Sequence, residues 1–334
     1  MQLNTTYKNS IVKEDSNYPL VSIGLPVYNG DDLLEKALNS ILTQTHSNFE
    51  LIISDNASTD KTREICEAYV AKDSRIKYYR NEKNIGGHNN FNRVFELATG
   101  QYFKWAAHDD LCAPEFIEKC VNILENNPSV VVSYPKTKLI NEREEVLPTN
   151  CDENPLLTHS SKPHIRFRNL IIDSFAKPHR CLQLFGVMRR DVLAKTPLLG
   201  NYPGADKVLL VKMALLGQYH EVPEYLFFNR NHAQRASKAL SNPYLRATWL
   251  DPTLKNGKLI FPQGRVFLGY INSINTTSLS LYQQIRCYFH LCIWFLNYKN
   301  ALIKELIKAA IWPIYFSIQR RRIVKSNPEN VPSS

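Results

Sequence analysis

The chain has 334 residues, 44% of them hydrophobic and 22% charged, which is enough apolar material for one large α/β domain with an appendage or for two domains. Its formal net charge of +10 favours anionic partners: nucleotides, nucleic acid or an anionic membrane surface. The seven cysteines are odd in number and show no Cys-x-x-Cys spacing, which argues against a zinc site or a disulfide framework and for a reducing compartment.

Residues 1–17 are polar and lack the apolar segment of a secretory signal, so we expect a flexible leader there. Nowhere do 18 uncharged apolar residues follow one another, so the sequence predicts no membrane-spanning helix. We therefore expect a protein on the cytoplasmic side, either free or peripheral on the inner face of the cytoplasmic membrane.

From residue 18 to residue 134 the pattern alternates between strand and helix. Strands are predicted at 21–27, 49–54, 75–79 and 130–134, and a further one runs from Gly100 and stops at Asp109-Asp110. Helices are predicted between them at 34–42, at 89–98 and from Pro114 to about Asn126. A further helix, between the second and third strands, is predicted to bury Ile65, Ala68 and Tyr69. Strands separated by helices of this length imply βαβ units and a mostly parallel sheet.

Polar residues cluster where four of these strands end, at Pro26–Gly30, Asp55–Asp60, Asn81–Gly87 and His108–Asp110. Because ligands bind beyond the carboxyl ends of the strands in such sheets, the clusters predict one binding crevice. Two adjacent carboxylates at a strand end suit a hard divalent cation, although an acidic turn or a helix N-terminus is the alternative for an isolated Asp-Asp pair.

The segments Val21–Gly30, Leu51–Asp60, Asn84–Gly86 and Ala98–Asp110 resemble, in order and spacing, the motifs of the family 2 glycosyltransferases, which are nucleotide-sugar enzymes of the GT-A fold. The resemblance covers residues 18–135 and continues more weakly to about residue 237. It implies a Rossmann-like, mostly parallel sheet flanked by helices over residues 18–240.

In that family the first strand-end loop and the Asp of the second cradle the base and ribose of the nucleotide. The resemblance gives this role to Pro26, Val27, Tyr28 and Asp55. A carboxylate accepts hydrogen bonds from a base or a ribose, and a tyrosine ring packs against a base. The alternative for Asp55 is a turn residue that caps its own backbone.

The family's fourth motif binds Mg²⁺ or Mn²⁺ between carboxylates and the diphosphate. Here Ala107 occupies the position of the first Asp, and the resemblance assigns the metal to Asp109 and Asp110. It also places His232 at the metal shell or the diphosphate, where the alternative is a structural histidine.

His108, Arg230 and Arg235 are the remaining candidates for contacts with the diphosphate, since cationic side chains bind phosphate oxygens. Phe91 stands where many relatives carry an Arg, so that charge must come from elsewhere.

The segment before the helix predicted at 205–216 typically carries Glu-Asp in the family, and the Asp is the general base. Ala205-Asp206 occupies these positions, so the resemblance names Asp206 as the base of an inverting transfer. The alternative is a carboxylate in the first turn of a helix.

The second half of the sequence is less regular. We expect a surface loop at 141–165, a helix at 166–175, a strand at 184–190 and irregular chain at 241–278. From about residue 279 two apolar, aromatic helical stretches follow, and residues 299–325 carry seven basic side chains and one acidic, a net charge of +6. This C-terminal region, 241–325, precedes an expected disordered tail at 326–334.

An apolar face beside a basic cluster is typical of a helix in a membrane interface, and packing on the catalytic domain or on another subunit is the alternative. The favoured function is a metal-dependent transfer of sugar from a nucleoside diphosphate to a saccharide or lipid-linked glycan in polysaccharide biosynthesis. The alternative is a non-catalytic GT-A relative that binds nucleotide-sugar or glycan. The first βα turn has no Gly-x-Gly-x-x-Gly, which disfavours a dinucleotide oxidoreductase, and no nucleic-acid module is recognisable.

Overall fold

The computed structural model describes residues 18–148, 158–172, 181–232, 243–256 and 260–311. The expected leader at 1–17 and the expected tail at 326–334 lie outside these ranges. The strands are β1 Val21–Val27, β2 Phe49–Asp55, β3 Ile76–Arg80, β4 Tyr102–Trp105, β5 Leu111–Cys112, β6 Val130–Ile140, β7 Val187–Arg189 and β8 Gln218–Arg230. The helices are α1 Leu34–Leu42, α2 Thr62–Val70, α3 Gly87–Glu96, α4 Phe116–Asn126, α5 Pro163–Ile171, α6 Arg190–Leu193, α7 Ala205–Leu216, α8 Pro243–Leu250, α9 Pro262–Asn275 and α10 Leu281–Ala310.

The strands of the described chain form one sheet in the order β3-β2-β1-β4-β7-β6-β8-β5. The four strands β3, β2, β1 and β4 are parallel, as the alternation of strands and helices predicts. Beyond them β7 pairs antiparallel with both β4 and β6, while β6 and β8 are parallel over a long register. The prediction of an α/β fold with a largely parallel sheet is confirmed, and the antiparallel pairs are confined to its second half.

Each face of the sheet is covered by a separate apolar core. One core contains buried side chains of α1, α2 and α4, and the other contains those of α3, α5 and α7. The helices α9 and α10 belong to the second core, in which Tyr270 and Trp294 are almost fully buried together with Phe167 and Leu209. The C-terminal helices therefore pack on the α/β domain along one side.

Proline explains most of the errors in the predicted elements. Helices begin at Pro163, Pro243 and Pro262, although the sequence pattern predicts a loop or irregular chain at these places. Proline lacks the N–H that is unsatisfied in the first helical turn anyway, so it starts a helix as readily as it ends one. The predictions of irregular structure at 243–250 and 262–275, and of a loop at 163–165, are wrong.

Three smaller expectations also change. The strand predicted at 184–190 covers only β7, because a 3-10 turn occupies Leu182–Phe185 and α6 begins at Arg190. The two C-terminal apolar stretches are one helix of 30 residues up to Ala310. On α2 the inward position of Tyr69 is confirmed, and Ile65 is partly buried against the same core. Ala68 is exposed, and Cys66 is buried instead. No helix in the described ranges is long and apolar enough to cross a membrane.

The amino end of the sheet is tied together by the carboxylate of Glu50 on β2. It accepts hydrogen bonds from the Ser22 hydroxyl, from the backbone and hydroxyl of Thr99, and from the Lys77 ammonium, 2.7 Å away. Burial opposes ionisation of Glu50, but these hydrogen bonds outweigh it and lower its pKa from 4.5 to about 2.

A group whose pKa is depressed by folding contributes stability above its unfolded pKa and loses it as the pH falls through the folded pKa. Glu50 therefore contributes about 3 kcal/mol at neutral pH, and this contribution disappears between pH 4.5 and about pH 2. We expect Glu50→Gln to lower the free energy of unfolding at pH 7 by about that amount and to flatten its pH dependence in this window. Urea unfolding at several pH values measures both, with the exposed Glu82→Gln as control. An unchanged pH dependence would contradict the prediction.

Candidate active site

The carboxyl ends of the parallel strands open into a cavity of about 750 Å³. All four polar clusters predicted at the strand ends contribute to its wall, which also receives residues from β8 and α8. This position follows from the topology, because loops at the carboxyl edge of a parallel sheet diverge and leave a crevice. The expected crevice is therefore present.

β1 ends at the cavity with Pro26 and Val27, and Tyr28, the first residue after the strand, lines the same wall and is 40% exposed. The next residue, Asn29, has a left-handed backbone with φ of 48°. Its backbone N–H donates to the hydroxyl of Ser58, and its side-chain oxygen accepts from a backbone N–H in the same neighbouring loop. These hydrogen bonds connect the loop after β1 to the loop after β2, and they fix the backbone that carries the Tyr28 ring.

Gly30 makes room for His108 in the cavity wall. A β-carbon at Gly30 would lie 2.5 Å from Cδ2 of the His108 ring, which is far closer than a carbon–carbon contact allows. The N–H of Gly30 also donates to the Thr62 hydroxyl at 2.9 Å. The glycine of the first motif therefore sets the position of the histidine of the fourth.

Asp55 is fully buried below the cavity and does not line it. Its Oδ1 accepts from the backbone N–H of Ser58 at 2.8 Å, and its Oδ2 accepts from the hydroxyl of Tyr78 at 2.8 Å with Arg80 at 3.8 Å. A direct nucleotide contact by Asp55 is not supported by this geometry, because both carboxylate oxygens already have partners inside the protein. Asp55 instead fixes the loop that carries the cavity residues.

Asn56 lines the cavity in place of Asp55. Its side-chain oxygen accepts from Asn81 and from the backbone N–H of Ile85, and its amide donates to Asn84, all at about 3 Å. Sequence reasoning missed Asn56. The alternation of a strand was the available signal, since consecutive residues face opposite sides and Asp55 belongs to the buried set. Asp60, at the far end of the same loop, also reaches the cavity wall.

Asp109 and His232 meet on the cavity wall, with His232 Nε2 2.8 Å from Asp109 Oδ2. Burial opposes ionisation of Asp109, but the hydrogen bond from His232 and the charges of both neighbouring histidines outweigh it, so the pKa of Asp109 lies below its usual range. The hydrogen bond to Asp109 in turn raises the pKa of His232. The structure thus brings together two of the three residues predicted to bind metal.

The third, Asp110, lies beside them at the cavity wall and is 6% exposed. Its carboxylate accepts from the side-chain amide of Asn229 at 3.0 and 3.1 Å and from the backbone N–H of Arg230 at 2.8 Å. These donors come from the end of β8, so Asp110 ties the fourth strand-end loop to that strand.

Arg230 has no exposed surface and does not line the cavity. Its guanidinium donates to the backbone oxygens of Asp109, Asn141 and Glu142 at 2.8 to 3.2 Å. The predicted diphosphate contact of Arg230 is therefore not supported by the structure, and the side chain supports the Asp109 backbone instead. Arg235, the other arginine proposed for the diphosphate, lies outside the described residues.

Whether these residues suit a divalent cation depends on the donors that face the cavity. The described residues contain no ready-made group of three or more His, Cys, Asp or Glu side chains that could hold a metal. They do place a carboxylate, Asp109, and an imidazole, His232, on one wall, and Asn229 adds a buried side-chain oxygen without a hydrogen-bond partner. This set fits a cation that takes few protein ligands and completes its shell with phosphate oxygens, as Mg²⁺ commonly does.

Asp206 lies in a second cavity, of about 260 Å³, rather than in the first. It is in the first turn of α7, where its Oδ1 accepts from the backbone N–H of Lys207 at 2.9 Å. Cys181 stands next to it. Burial and then the charge of Asp206 raise the pKa of the Cys181 thiol, so the thiol remains protonated and donates to the carboxylate.

Phe91, Phe185 and Trp249 line both cavities and so form the boundary between them. Trp249 reaches this boundary because α8 packs closely on the start of α3. A β-carbon at Gly87 would lie 2.7 Å from the Trp249 ring, and one at Gly86 would lie 2.3 Å from the backbone oxygen of Leu250. Sequence reasoning missed Trp249, because the segment that carries it was predicted to be irregular.

Comparison with known proteins places the chain among glycosyltransferases. The model of the family described as "Glycosyl transferase family 2" matches residues 22–195. An uncharacterized glycosyltransferase of Haemophilus influenzae is 29% identical over 235 residues, which are 68% of this chain and 70% of that protein. An uncharacterized glycosyltransferase of Rickettsia typhi is 38% identical over 41% of this chain and 42% of that protein. One of Rickettsia bellii is 28% identical over 91% of this chain and 43% of that protein.

Among solved structures, that of S. aureus TarS 1-349 in complex with UDP is similar with a TM-score of 0.49 and 16% identity, covering 84% of this chain and 91% of that chain. The structure of the same protein in complex with UDP-GlcNAc gives a TM-score of 0.48 at 16% identity and covers 84% of this chain and 92% of that chain.

Proposed function

The chain belongs to glycosyl transferase family 2, and we propose that it moves a sugar from a nucleoside-diphosphate donor to a hydroxyl group of a saccharide or lipid-linked glycan, with inversion at the anomeric carbon. The observation that carries this proposal is the pair of adjoining cavities. The first holds Asp109 and His232, the second holds Asp206, and three aromatic side chains separate them. A transfer between two substrates requires such neighbouring sites, with the reacting sugar at the boundary.

The first cavity is the proposed donor site. Its volume of about 750 Å³ lies in the range of cofactor pockets. The exposed ring of Tyr28 is available to pack against the base, and Asp60, which is partly exposed on the same cavity wall, offers a carboxylate to the base or ribose. Asn56 holds this wall in place through its hydrogen bonds within the protein. His108 and His232 also line this cavity and offer ring nitrogens to the diphosphate, which the buried Arg230 does not reach.

Asp109, with His232 and Asp110 beside it, is the proposed holder of Mg²⁺ or Mn²⁺. When bound, the cation would neutralise the negative charge that develops on the departing nucleoside diphosphate. Asn229 and Arg230 act as positioning residues, because they fix the Asp110 side chain and the Asp109 backbone through hydrogen bonds of about 3 Å.

Asp206 is the proposed general base. In the reaction the acceptor hydroxyl loses its proton to the carboxylate while its oxygen forms a bond to the anomeric carbon of the donor sugar. The bond between that carbon and the diphosphate oxygen breaks on the opposite side, and its electron pair leaves with the nucleoside diphosphate. The position of Asp206 across the aromatic boundary from the donor cavity supports attack from the far side and hence inversion.

A thermal-shift series with UDP, GDP, dTDP and CDP, each with and without Mn²⁺, tests the donor site. We expect one nucleotide to raise the melting temperature in a metal-dependent way, because binding to the folded state alone stabilises it. The absence of any shift with folded protein would contradict the donor site. Metal-dependent nucleotide binding without sugar transfer to any tested glycan would favour the alternative of a binding module, which the alanines at 107 and 205 already suggest.

The proposal places the reaction in polysaccharide biosynthesis and the enzyme at the inner face of the cytoplasmic membrane. Two features of the sequence support this location. The odd number of cysteines without Cys-x-x-Cys spacing favours a reducing compartment, and the C-terminal segment is apolar and basic. A lipid-linked acceptor would then be within reach of a peripheral enzyme.

A further inference from the structure

The helix α10 packs on the protein along one side only. On that side Cys287, Leu291 and Trp294 are at most 3% exposed. Trp294 stacks between Phe267 of α9 and Tyr298 of its own helix, with ring centroids 5.9 and 4.4 Å apart. The inward face of α10 is thus part of the second core. For that face, the alternative expectation of packing on the rest of the protein is confirmed.

The opposite face of α10 is apolar and open to solvent. Of the sixteen large hydrophobic side chains that are exposed in the described residues, nine belong to this helix. Six of these side chains recur at intervals of four or seven residues, which is the spacing of one helical face. The stripe, which we call the outer stripe, consists of Leu281, Ile285, Phe289, Leu296, Ile303 and Ile307, each at least half exposed.

The outer stripe runs along a helix of 30 residues, about 45 Å in length. Monomeric proteins rarely leave a continuous apolar surface of this extent exposed unless it contacts a partner or a membrane. The identity of the partner is indicated by the charges beside the stripe.

Every charged side chain on the solvent side of α10 is basic. The exposed ones are Lys299, Lys304 and Lys308, whereas Arg286 is partly buried. The one carboxylate of the helix is Glu305. Glu305 turns inward, where it accepts hydrogen bonds from the backbone N–H groups of Gln263 and Gly264 at 2.8 and 3.1 Å. The Glu305 carboxylate therefore caps the N-terminus of α9 and points away from the lysines on the solvent side of α10. The chain beyond the described residues adds the basic run 320–322 in sequence.

We propose that the outer stripe of α10, with its flanking lysines, binds the surface of an anionic phospholipid bilayer, with the helix parallel to the membrane plane. An apolar face inserts into the headgroup boundary, and lysines beside it attract anionic lipids. A second copy of the chain fits this face less well, because two such faces would bring the same cations together.

This proposal rests on the proposed function only in its purpose, which is to bring the enzyme to a lipid-linked acceptor. It is tested without donor or acceptor, so its failure is distinct from failure of the transferase assignment.

The test is flotation of the full chain with vesicles of phosphatidylcholine alone or of phosphatidylcholine mixed with phosphatidylglycerol. We expect flotation with the anionic vesicles. The double substitution Ile285→Glu with Leu296→Glu should lower the partition coefficient by about 100-fold, since it removes two apolar anchors and adds two negative charges. Replacing Lys299, Lys304 and Lys308 by Gln should lower it by about fivefold for each lysine.

Val70→Glu is the matched control, because Val70 is also exposed but lies on α2, on the other face of the sheet. The control should float as the parent does, and the nucleotide thermal shift should be unchanged in all variants. Three results would overturn the proposal: no flotation with anionic vesicles, equal partition onto neutral ones, or light scattering that shows a dimer which the Glu pair dissociates while vesicles bind nothing.

Discussion

The substitution Asp109→Asn is expected to lower the rate of sugar transfer by at least about 100-fold, the usual cost of removing one group that stabilises developing charge. Asp109 lines the first cavity, and the hydrogen bond from His232 helps to hold the pKa of its carboxyl group below the ordinary range. Asparagine preserves the shape and the contact with His232 but removes the negative charge. The loss should therefore appear in transfer and in Mn²⁺-dependent nucleotide binding, measured by calorimetry, rather than in folding.

A second readout comes from His232, which lies 2.8 Å from Asp109. Its pKa is raised chiefly by the hydrogen bond to that carboxylate, so we expect the pKa of His232 to fall in Asp109→Asn, as followed by NMR titration. Asp191→Asn is the control, since Asp191 is an exposed carboxylate whose ion pair with Lys195 is remote from the cavity. Transfer within threefold of the parent in Asp109→Asn would refute the assigned role.

For Asp206→Asn we expect a fall in kcat of about 100- to 10,000-fold, which is the range of general base catalysis. The donor should still bind with unchanged affinity, because Asp206 lines the second cavity and not the first. The asparagine oxygen can still accept the N–H of Lys207, so α7 should keep its first turn. Steady-state kinetics together with the nucleotide thermal shift separate the two effects.

Asp251→Asn is the matched control for this prediction. Asp251 follows α8 close to the second cavity but does not line it, and its carboxylate caps Thr253. A variant at 206 that retains transfer, or that loses nucleotide binding together with transfer, would show that the base lies elsewhere.

Part of the candidate site could be predicted from local sequence patterns alone. Strand periodicity and the spacing of polar residues were sufficient to predict β1, β2 and β3 and to place their ends at one crevice, since a strand that is buried on both faces needs continuous apolar residues and its loops do not. The resemblance to the family's motifs added the assignment of Asp109, Asp110 and His232 to a metal, and the structure brings all three to the wall of the first cavity.

Other assignments depended on contacts that no local pattern contains. Asp55 and Asn56 are neighbours in sequence, yet pairing with β1 and β3 sends the first into the interior and the second to the cavity. Arg230, the last residue of β8, is adjacent in sequence to cavity residues. Its guanidinium instead donates hydrogen bonds to three backbone oxygens in loops that are distant in the chain.

The sequence by itself determined the order of strands and helices in the first half of the chain, the family, and the chemical character of the residues at the strand ends. These follow from interactions within a few residues, such as the alternation of a strand or the cap of a helix. Only the tertiary structure decided that Asp206 faces a cavity of its own, that Trp249 closes the boundary, and that Glu305 leaves the outer stripe without a negative charge. These features depend on contacts between segments that are distant in the chain, such as Glu305 with Gln263 and Trp249 with Gly87. At such contacts, burial and hydrogen bonding rather than local preference fix the direction of a side chain.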